Sequence, residues 1–416
     1  MSNNAMNHVI IVGGGASGLV AGIFAARQKN KVTILEHKAK IGKKILATGN
    51  GKCNYTNLYQ QPECYRGNDS SFALKLLSQF DVNRTIDFFK ELGIYPKEKN
   101  GYVYPNSEQA SSVVDVLRLE LMQLKVSICC EVHVERVSKV KNRFLIATDK
   151  GEYTADQVIL ATGGCASPNL GSDGSGYKMA ENLGHRIIKP LPGLVQLKSD
   201  SRYFKTLAGV RTGATVQLYI NGKYVTREQG ELLLAAYGVS GIPVLQLSRY
   251  ASRALSENKK VHLVIDYLPF LKKEEVIGLL CERIKRYPSR TMEEAMIGLL
   301  NQKLAYVSIK EAGIEPGVCC GTVRTGNLKA LANQLKEWTV MITGPNSFEQ
   351  AQVTAGGIDT SEINPDTLES KLIKGLYFTG ELIDIDGTCG GYNLQWAWST
   401  GAVAGTNCKK DADNNT

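Results

Sequence analysis

The sequence predicts an α/β protein in which a parallel sheet is built from both ends of the chain and interrupted by an inserted region of antiparallel strands and helices. Three observations carry this. Short apolar runs that stop at glycine recur near the start, middle and end of the chain, at 8–12, 157–164 and 375–381. From about residue 190 to 345 the pattern changes to hairpin signals and amphipathic stretches. Small residues repeat at every fourth position in both the first and the last helical stretch.

The first run, His8-Val9-Ile10-Ile11-Val12, is long enough for one buried strand and too short for a helix. Gly13-Gly14-Gly15-Ala16-Ser17-Gly18 follows, then a small-residue helical stretch to about Lys29 and a β-branched run ending in Glu36. This is G-x-G-x-x-G between a strand and a helix, with an acid about twenty residues on. Gly13 permits the tight turn, Gly15 lets the backbone approach a pyrophosphate, and Gly18 lets the helix lie close to the strand. The N–H groups of the first turn, at Ala16 and Ser17, then face the phosphates. Glu36 can accept from both hydroxyls of an adenosine ribose and would repel a 2′-phosphate, so the site should hold FAD or NAD rather than NADP.

The 416 residues are 43% hydrophobic and 21% charged, which suits a soluble globular chain of two or three domains. No apolar run approaches the roughly 20 residues of a membrane span, and the polar opening, residues 1–6, lacks the apolar core of a secretory leader. Ten cysteines without C-x-x-C do not read as a disulfide frame or zinc site, so no metal is expected and a reducing cytoplasm fits. The net charge of +9 is spread out; it suits anionic cofactors and is poor evidence for nucleic acid.

After Glu36 come His37, the basic residues Lys43 and Lys44, and then Thr48-Gly49-Asn50-Gly51-Lys52-Cys53-Asn54. Glycines flanking an Asn, followed by Lys-Cys-Asn, make a loop whose N–H groups can curl around an anion or a flavin edge. Residues 70–125 read as helices, one capped by Asp81 and stopped by Gly93, with Gly101-Tyr102-Val103-Tyr104-Pro105 as a short strand-like excursion. Strands follow over 126–137 and 143–148. Then comes Gln157-Val158-Ile159-Leu160-Ala161-Thr162-Gly163-Gly164, an apolar strand whose end brings bare backbone against a ligand at the carboxyl edge of the sheet.

The division expected is a cofactor domain from 1–189 and 346–416, interrupted by an insert at 190–345 that is β-rich over 190–250 and 305–345 and helical over 251–304. Asn221-Gly222 between two β-branched runs is a hairpin signal; Val244-Leu245-Gln246-Leu247 and 261–265 read as strands. Helices are expected over 272–286 and 291–300, the second with Thr291 and Glu294 at capping-box spacing. The insert would carry substrate specificity and shield the cofactor. Val353-Thr354-Ala355-Gly356-Gly357 and Gly375-Leu376-Tyr377-Phe378-Thr379-Gly380-Glu381 return to the first theme. A helix then runs from Tyr392 to about Thr406, with Ala397, Gly401 and Gly405 as a small-residue face. Gly18, Gly22 and Ala26 repeat at the same spacing, so the two helices are expected side by side. Gly391 would aim a helix N-terminus at a flavin pyrimidine.

These segments together resemble the bacterial FAD-dependent oxidoreductases that include the aminoacetone oxidases and the BaiN-like flavoproteins. The resemblance rests on Gly13 to Gly18, on Gly51-Lys52-Cys53-Asn54-Tyr55-Thr56-Asn57, on Leu160 to Gly164, and on the Val353 and Gly375 segments. It rests most distinctively on Asp386-Gly387 with Gly390-Gly391-Tyr392-Asn393-Leu394-Gln395-Trp396-Ala397. It implies a glutathione-reductase-like Rossmann FAD-binding domain interrupted by a barrel-like antiparallel and helical region. One departure stands out: the family usually carries Thr-His where this chain has Ala235-Ala236, so any work done by that histidine is not done here.

Cofactor contacts are expected from Gly13, Gly15, Ala16, Ser17 and Gly18 at the pyrophosphate, and from Glu36 and His37 at the adenosine, with Val134 meeting adenine by analogy with related folds. Others are Lys43, Lys44, Thr48, Gly49, Asn50, Gly51, Lys52, Ala161, Thr162, Gly163, Gly380 and Glu381, with Gly390, Gly391 and Leu394 at the ring. Cys53, Asn54, Tyr392 and Asn393 are the candidate catalytic side chains around the isoalloxazine, with packing the favoured role for Cys53 and also for Cys389. His185 and His262 read as structural.

The expected activity is hydride transfer through flavin N5 on a small amine, ketone or enone, with NAD(P)H as a transient donor or oxygen as acceptor. The alternatives are a fumarate-reductase-like flavoprotein, which needs Arg and His clusters for dicarboxylates where the insert has few histidines, and an FAD-dependent tRNA modifier, for which the +9 charge is the one hint.

Overall fold

The run His8–Val12 becomes the central strand of a five-stranded parallel sheet. The order is Leu376–Phe378, Gln157–Leu160, His8–Val12, Lys31–Glu36 and Ser127–Cys130. Ile11 pairs with Ile34 on one side and Ile159 on the other, all three fully buried, as strands covered on both faces require. Because the strands are parallel, the turns after three of them meet at one edge. Gly13, Ala161-Thr162-Gly163 and Gly380 therefore come together from the start, middle and end of the chain. A separate antiparallel sheet holds Val134–Val140, Arg143–Thr148 and Gly151–Ala155.

This computed structural model describes residues 6–409, so the polar opening up to Ala5 lies outside the described residues. Residues up to Leu191 and from Gln352 onward form one compact unit, and Pro192–Ala351 forms the other. Among the described residues no helix is long and apolar enough to cross a membrane.

The helices Ala16–Arg27 and Tyr392–Asn407 lie side by side and parallel. A Cβ on Gly401 would overlap the Ser17 carbonyl oxygen, and one on Gly405 would lie 2.5 Å from the Ala21 carbonyl oxygen and 2.8 Å from Phe24 Cβ. The face of the first helix differs from the one expected. Gly18 turns toward Gly13 and Ala161, and Gly22 toward Ile34 and Leu121. Its glycines serve the sheet and the helix Ala110–Gln123, while Ser17 and Ala21, one step round the helix, meet Gly401 and Gly405.

In the insert a seven-stranded sheet runs in the order Trp338–Ile342, Val261–Asp266, Arg211–Ile220, Lys223–Ala235, Gly238–Ser240, Leu197–Lys198 and Gly344–Pro345. Its two edge strands are separated in the chain by Thr343 alone, so the sheet curls into a barrel-like form. Asn221 and Gly222 take φ of 49° and 77°, as a type I′ hairpin demands.

Three local expectations fail here. Val244 to Leu247 lies in the helix Ile242–Ser256, with Pro243 in its first turn and Val244, Leu247, Ala251 and Ala254 buried at helical spacing. A four-residue apolar run fits either period, and the flanking residues decided it. The stretch 305–345 is mostly helical rather than β-rich: Gln302–Glu311 and Thr325–Lys336 precede the two short strands, the latter burying Leu328, Leu331, Ala332 and Leu335. The helix begun at Thr291 spans only Met292–Ala295; its capping box forms, but Gly298 at φ 76° turns the chain away.

Candidate dinucleotide site

The site starts from the glycine turn. Gly13 N–H donates to the Leu35 carbonyl at 2.8 Å, and Gly14 N–H to Glu36 Oε2 at 2.8 Å. Gly13 has φ 107°, and a Cβ there would lie 2.8 Å from the Ala161 carbonyl carbon, so no other residue fits. Gly15 is the opposite case. It caps the helix Ala16–Arg27, nothing lies within 4 Å of where its Cβ would be, and no side chain caps the helix. The first-turn N–H groups, Ala16 and Ser17 among them, thus face an open cradle, which a pyrophosphate fits.

Glu36 is 7% exposed. Its Oε1 accepts from Lys38 N–H at 2.7 Å and its Oε2 from Gly14, which fixes the carboxylate and leaves lone pairs for ribose hydroxyls. His37 stands beside it, Nδ1 at 3.3 Å from Oε1 and its ring edge-on to His133. The His37 Nε2 is buried without a hydrogen-bond partner, with Asp173 Oδ2 at 4.0 Å. Val132 N–H donates to the Glu36 carbonyl, which brings Val134, buried and paired with Thr148, two residues beyond.

The middle of the site is tied by Glu381. Its Oε2 accepts from Lys44 Nζ at 2.7 Å and its Oε1 from Thr354 N–H at 2.5 Å. Thr354 Oγ1 in turn accepts from Cys165 and Ala166 N–H at 2.8 and 3.0 Å, fixing the loop after Gly163 and Gly164. A Cβ on Gly163 would lie 2.9 Å from Ser172 Oγ, and the Thr162 side chain fills the space beside Gly176. Gly380 takes φ 67° directly against Ser17, whose Oγ lies 3.1 Å from Thr379 Oγ1. Lys43 is half-buried on the short helix Lys43–Ala47, while Lys52 is exposed and reaches Glu108 at 3.5 Å.

At the far end, Gly49, Asn50, Gly51 and Cys53 all take positive φ, so the loop from Thr48 to Asn54 turns tightly; Thr48 Oγ1 donates back to the Ile45 carbonyl. Cys53 is fully buried, and burial pushes its thiol up to about 12, with Thr48 opposing. A thiol so placed stays protonated and is a poor nucleophile. Asn54 Oδ1 is buried without a partner and faces Gly391, where a Cβ would lie 3.1 Å from it. Gly391 caps the helix Tyr392–Asn407 with no side-chain bond, and Asn57 Nδ2 donates to the Gly390 carbonyl at 3.0 Å. Here an orphaned acceptor and an uncapped helix N-terminus lie together, a fit for the ring of a flavin.

Residues 7–407 match the family described as HI0933-like protein Rossmann domain. The chain belongs to this HI0933-like family. It is 44% identical over 402 residues to a 3-dehydro-bile acid delta(4,6)-reductase of Clostridium scindens, covering 96% of this chain and 98% of that one. It is 31% identical to a ribosomal RNA dihydrouridine synthase of Haemophilus influenzae, covering 94% and 96%. A solved 3-ketosteroid-delta4-(5alpha)-dehydrogenase from Rhodococcus jostii RHA1 aligns over 98% of both chains at 16% identity and TM-score 0.47. This HI0933-like protein is an FAD-dependent oxidoreductase.

Of the candidate catalytic residues of this family member, only Asn54 offers an unused polar atom. Asn393 is spent on the adjoining turn: its Oδ1 accepts from Gly387 N–H at 2.8 Å, and its Nδ2 donates to the Gly387 carbonyl at 2.9 Å. Tyr392 is 6% exposed and packs edge-on to Tyr65 with centroids 5.9 Å apart. Leu394 packs against the core. Sequence reasoning missed Thr354 and Thr400, the latter accepting from Gly380 N–H at 2.9 Å. It also missed Gln395, which is fully buried, accepts from Thr56 Oγ1 and donates to Thr85 and Ser399. An uncharged amide inside an apolar helix was the one available signal for Gln395. Ala236 lies in the exposed turn between Lys223–Ala235 and Gly238–Ser240.

Proposed function

We propose that this protein reduces a carbon–carbon double bond conjugated to a carbonyl, using FAD held by the opening glycines and by the closing helix. One observation carries the reading of the cofactor's course. The two helices are parallel, with Ser17 level with Gly401. At 1.5 Å per residue, the N-terminus at Gly391 therefore stands about 15 Å beyond. Two uncapped helix ends, staggered by the reach of a flavin dinucleotide, suit a diphosphate at one and an electron-rich ring at the other.

Gly13 to Gly18 would hold the pyrophosphate, and Glu36, His37 and Val134 the adenosine. Lys44 and Glu381 brace the loops between, with Gly163 and Gly380 leaving room beside the chain. The loop from Gly49 to Asn54 and the turn Gly390-Gly391 would line the ring, and Asn54 Oδ1 would be free to accept a hydrogen bond from it. FAD, when bound, supplies hydride transfer at N5. The Gly391 helix end favours negative charge on the pyrimidine side. Cys53 packs beneath the loop and takes no chemical part.

The reaction class draws on the relatives. A delta(4,6)-reductase of a 3-dehydro-bile acid saturates bonds conjugated to a ketone, and a dihydrouridine synthase saturates the uracil bond conjugated to a carbonyl. The 44% relative favours the small-molecule ketone as substrate. The second reading, a uridine in RNA, is favoured by the 31% relative. Either way, NADH or NADPH would bind transiently to reduce the flavin.

The test is to reduce the purified yellow protein anaerobically with NADH and NADPH, then add a 3-oxo-4-ene steroid or uridine-containing RNA. Rapid reoxidation by the steroid alone is the expected result. Reoxidation by RNA alone selects the second reading. If neither nicotinamide reduces the flavin, the reductase reading falls and an amine oxidase replaces it.

A further inference from the structure

Tyr102 and Tyr104 lie on the edge of the ring site, on a strand with no role so far. The strand Tyr102–Pro105 pairs with Thr56–Asn57 and Pro96–Lys99, with Val103 opposite Thr56. Alternation turns Val103 inward, where it is 1% exposed, and places both tyrosines on the other face, Tyr102 being 39% exposed. Tyr104 Cε1 stands 3.7 Å from where a Cβ on Gly49 would be, and Tyr102 Cε1 3.0 Å from one on Gly390. The two phenols thus cover one glycine from each of the two loops that flank the Gly391 helix end. Nearby, Tyr59 donates its hydroxyl to Glu63 at 2.6 Å and Tyr65 to Gln60 at 2.7 Å. Among the described residues, neither Tyr102 nor Tyr104 donates to anything.

We propose that Tyr102 and Tyr104 form the wall that receives the substrate, their rings against its planar unsaturated system and a phenol hydroxyl donating a hydrogen bond to its carbonyl oxygen. This rests on the reading under Proposed function. Reduction at the far carbon of a conjugated ketone builds negative charge on that oxygen, and a fixed donor there lowers the barrier. Burial, with Tyr102, Cys389 and Glu108 beside it, raises the Tyr104 hydroxyl above its ordinary value and keeps it a donor at neutral pH. The aromatic faces suit a flat steroid or nucleobase.

The test uses the FAD-loaded protein and two readouts. Tyr102→Phe and Tyr104→Phe keep the rings and remove the hydroxyls. Reduction by NAD(P)H should hold its wild-type rate while reoxidation by the unsaturated ketone slows roughly 10- to 100-fold in at least one variant, through kcat and not KM. Wild-type reoxidation in both Phe variants and in the double variant overturns the proposal and leaves the proposed function intact. The second readout is independent of turnover: Tyr102→Leu with Tyr104→Leu removes two electron-rich rings beside the flavin, so its fluorescence should rise. Unchanged fluorescence with flavin bound overturns the wall. If wild-type protein is reoxidised by neither ketone nor uridine but fluorescence rises in the variant, the proposed function falls and takes the carbonyl contact with it, and only the placement of the two rings beside the flavin is kept.

Discussion

Lys44 Nζ and Glu381 Oε2 lie 2.7 Å apart across 337 positions of the chain. The pair is mostly shielded, with side chains 28% and 18% exposed, and Glu381 also holds Thr354 N–H. Lys44→Met would leave a partly buried carboxylate without its cation, at about 1–3 kcal/mol. FAD affinity should fall roughly tenfold, each such factor being about 1.4 kcal/mol. Titration of apoprotein with FAD measures it, and an unchanged Kd would remove the pair from the site.

Gly401 and Gly278 make a matched test of what a methyl group does in a helix. At Gly401 a Cβ overlaps the Ser17 carbonyl, so Gly401→Ala should destabilise by about 1–3 kcal/mol through overpacking. At Gly278, in the helix Lys273–Arg286, nothing lies within 4 Å, so Gly278→Ala should stabilise by up to about 1 kcal/mol. Thermal unfolding of the two variants should move in opposite directions. A loss of bound FAD in Gly401→Ala alone would place the helix contact under the cofactor as well.

Cys53 should be chemically silent. With its thiol raised to about 12, alkylation by iodoacetamide at pH 8 should leave it unmodified in the folded protein. Cys53→Ala removes one buried sulfur and should cost about 1 kcal/mol of stability while turnover stays near wild type. A collapse in kcat with FAD still bound would return the thiol to the mechanism.

His185 makes stability depend on pH. Burial lowers its pKa from the ordinary histidine value; its Nε2 meets Ser370 Oγ at 2.8 Å, its Nδ1 is buried without a partner, and its ring stands edge-on to Phe378. The unfolded chain therefore binds a proton before the folded one does. This contribution to stability is whole above the unfolded value, about 6.5, and is lost as pH falls through and below it. The melting temperature should drop between pH 7.5 and 5.5, and His185→Gln should flatten that drop. His8, also lowered by burial and by Lys31, adds in the same direction, so some slope should persist in the variant.

Much of this was legible in the residues themselves. The strand, the glycine turn and Glu36 announce a dinucleotide cradle because each requirement is local: a positive φ at Gly13, an open Gly15, an acid at a strand end. Asp81 and Thr291 cap helices as read, since a cap is a contact within three residues. The run Val244 to Leu247 was misread because four residues hold both periods at once. Asn393 looked available for the same kind of reason. Only the folded turn at Gly387 and Thr388 shows where its amide is spent.

The sequence by itself determined that the chain's two ends share one parallel sheet and that small residues would press two helices together, because glycine spacing and apolar period act over a few residues. Tertiary structure decided which faces met and which side chains were left unused. Ser17 and Ala21 took the contact with Gly401 and Gly405, Asn54 kept an unpaired oxygen, and Tyr102 and Tyr104 came to stand over Gly390 and Gly49. Those outcomes depend on partners from tens to hundreds of residues away, whose approach is set by packing of the whole core and is written in no single stretch of the chain.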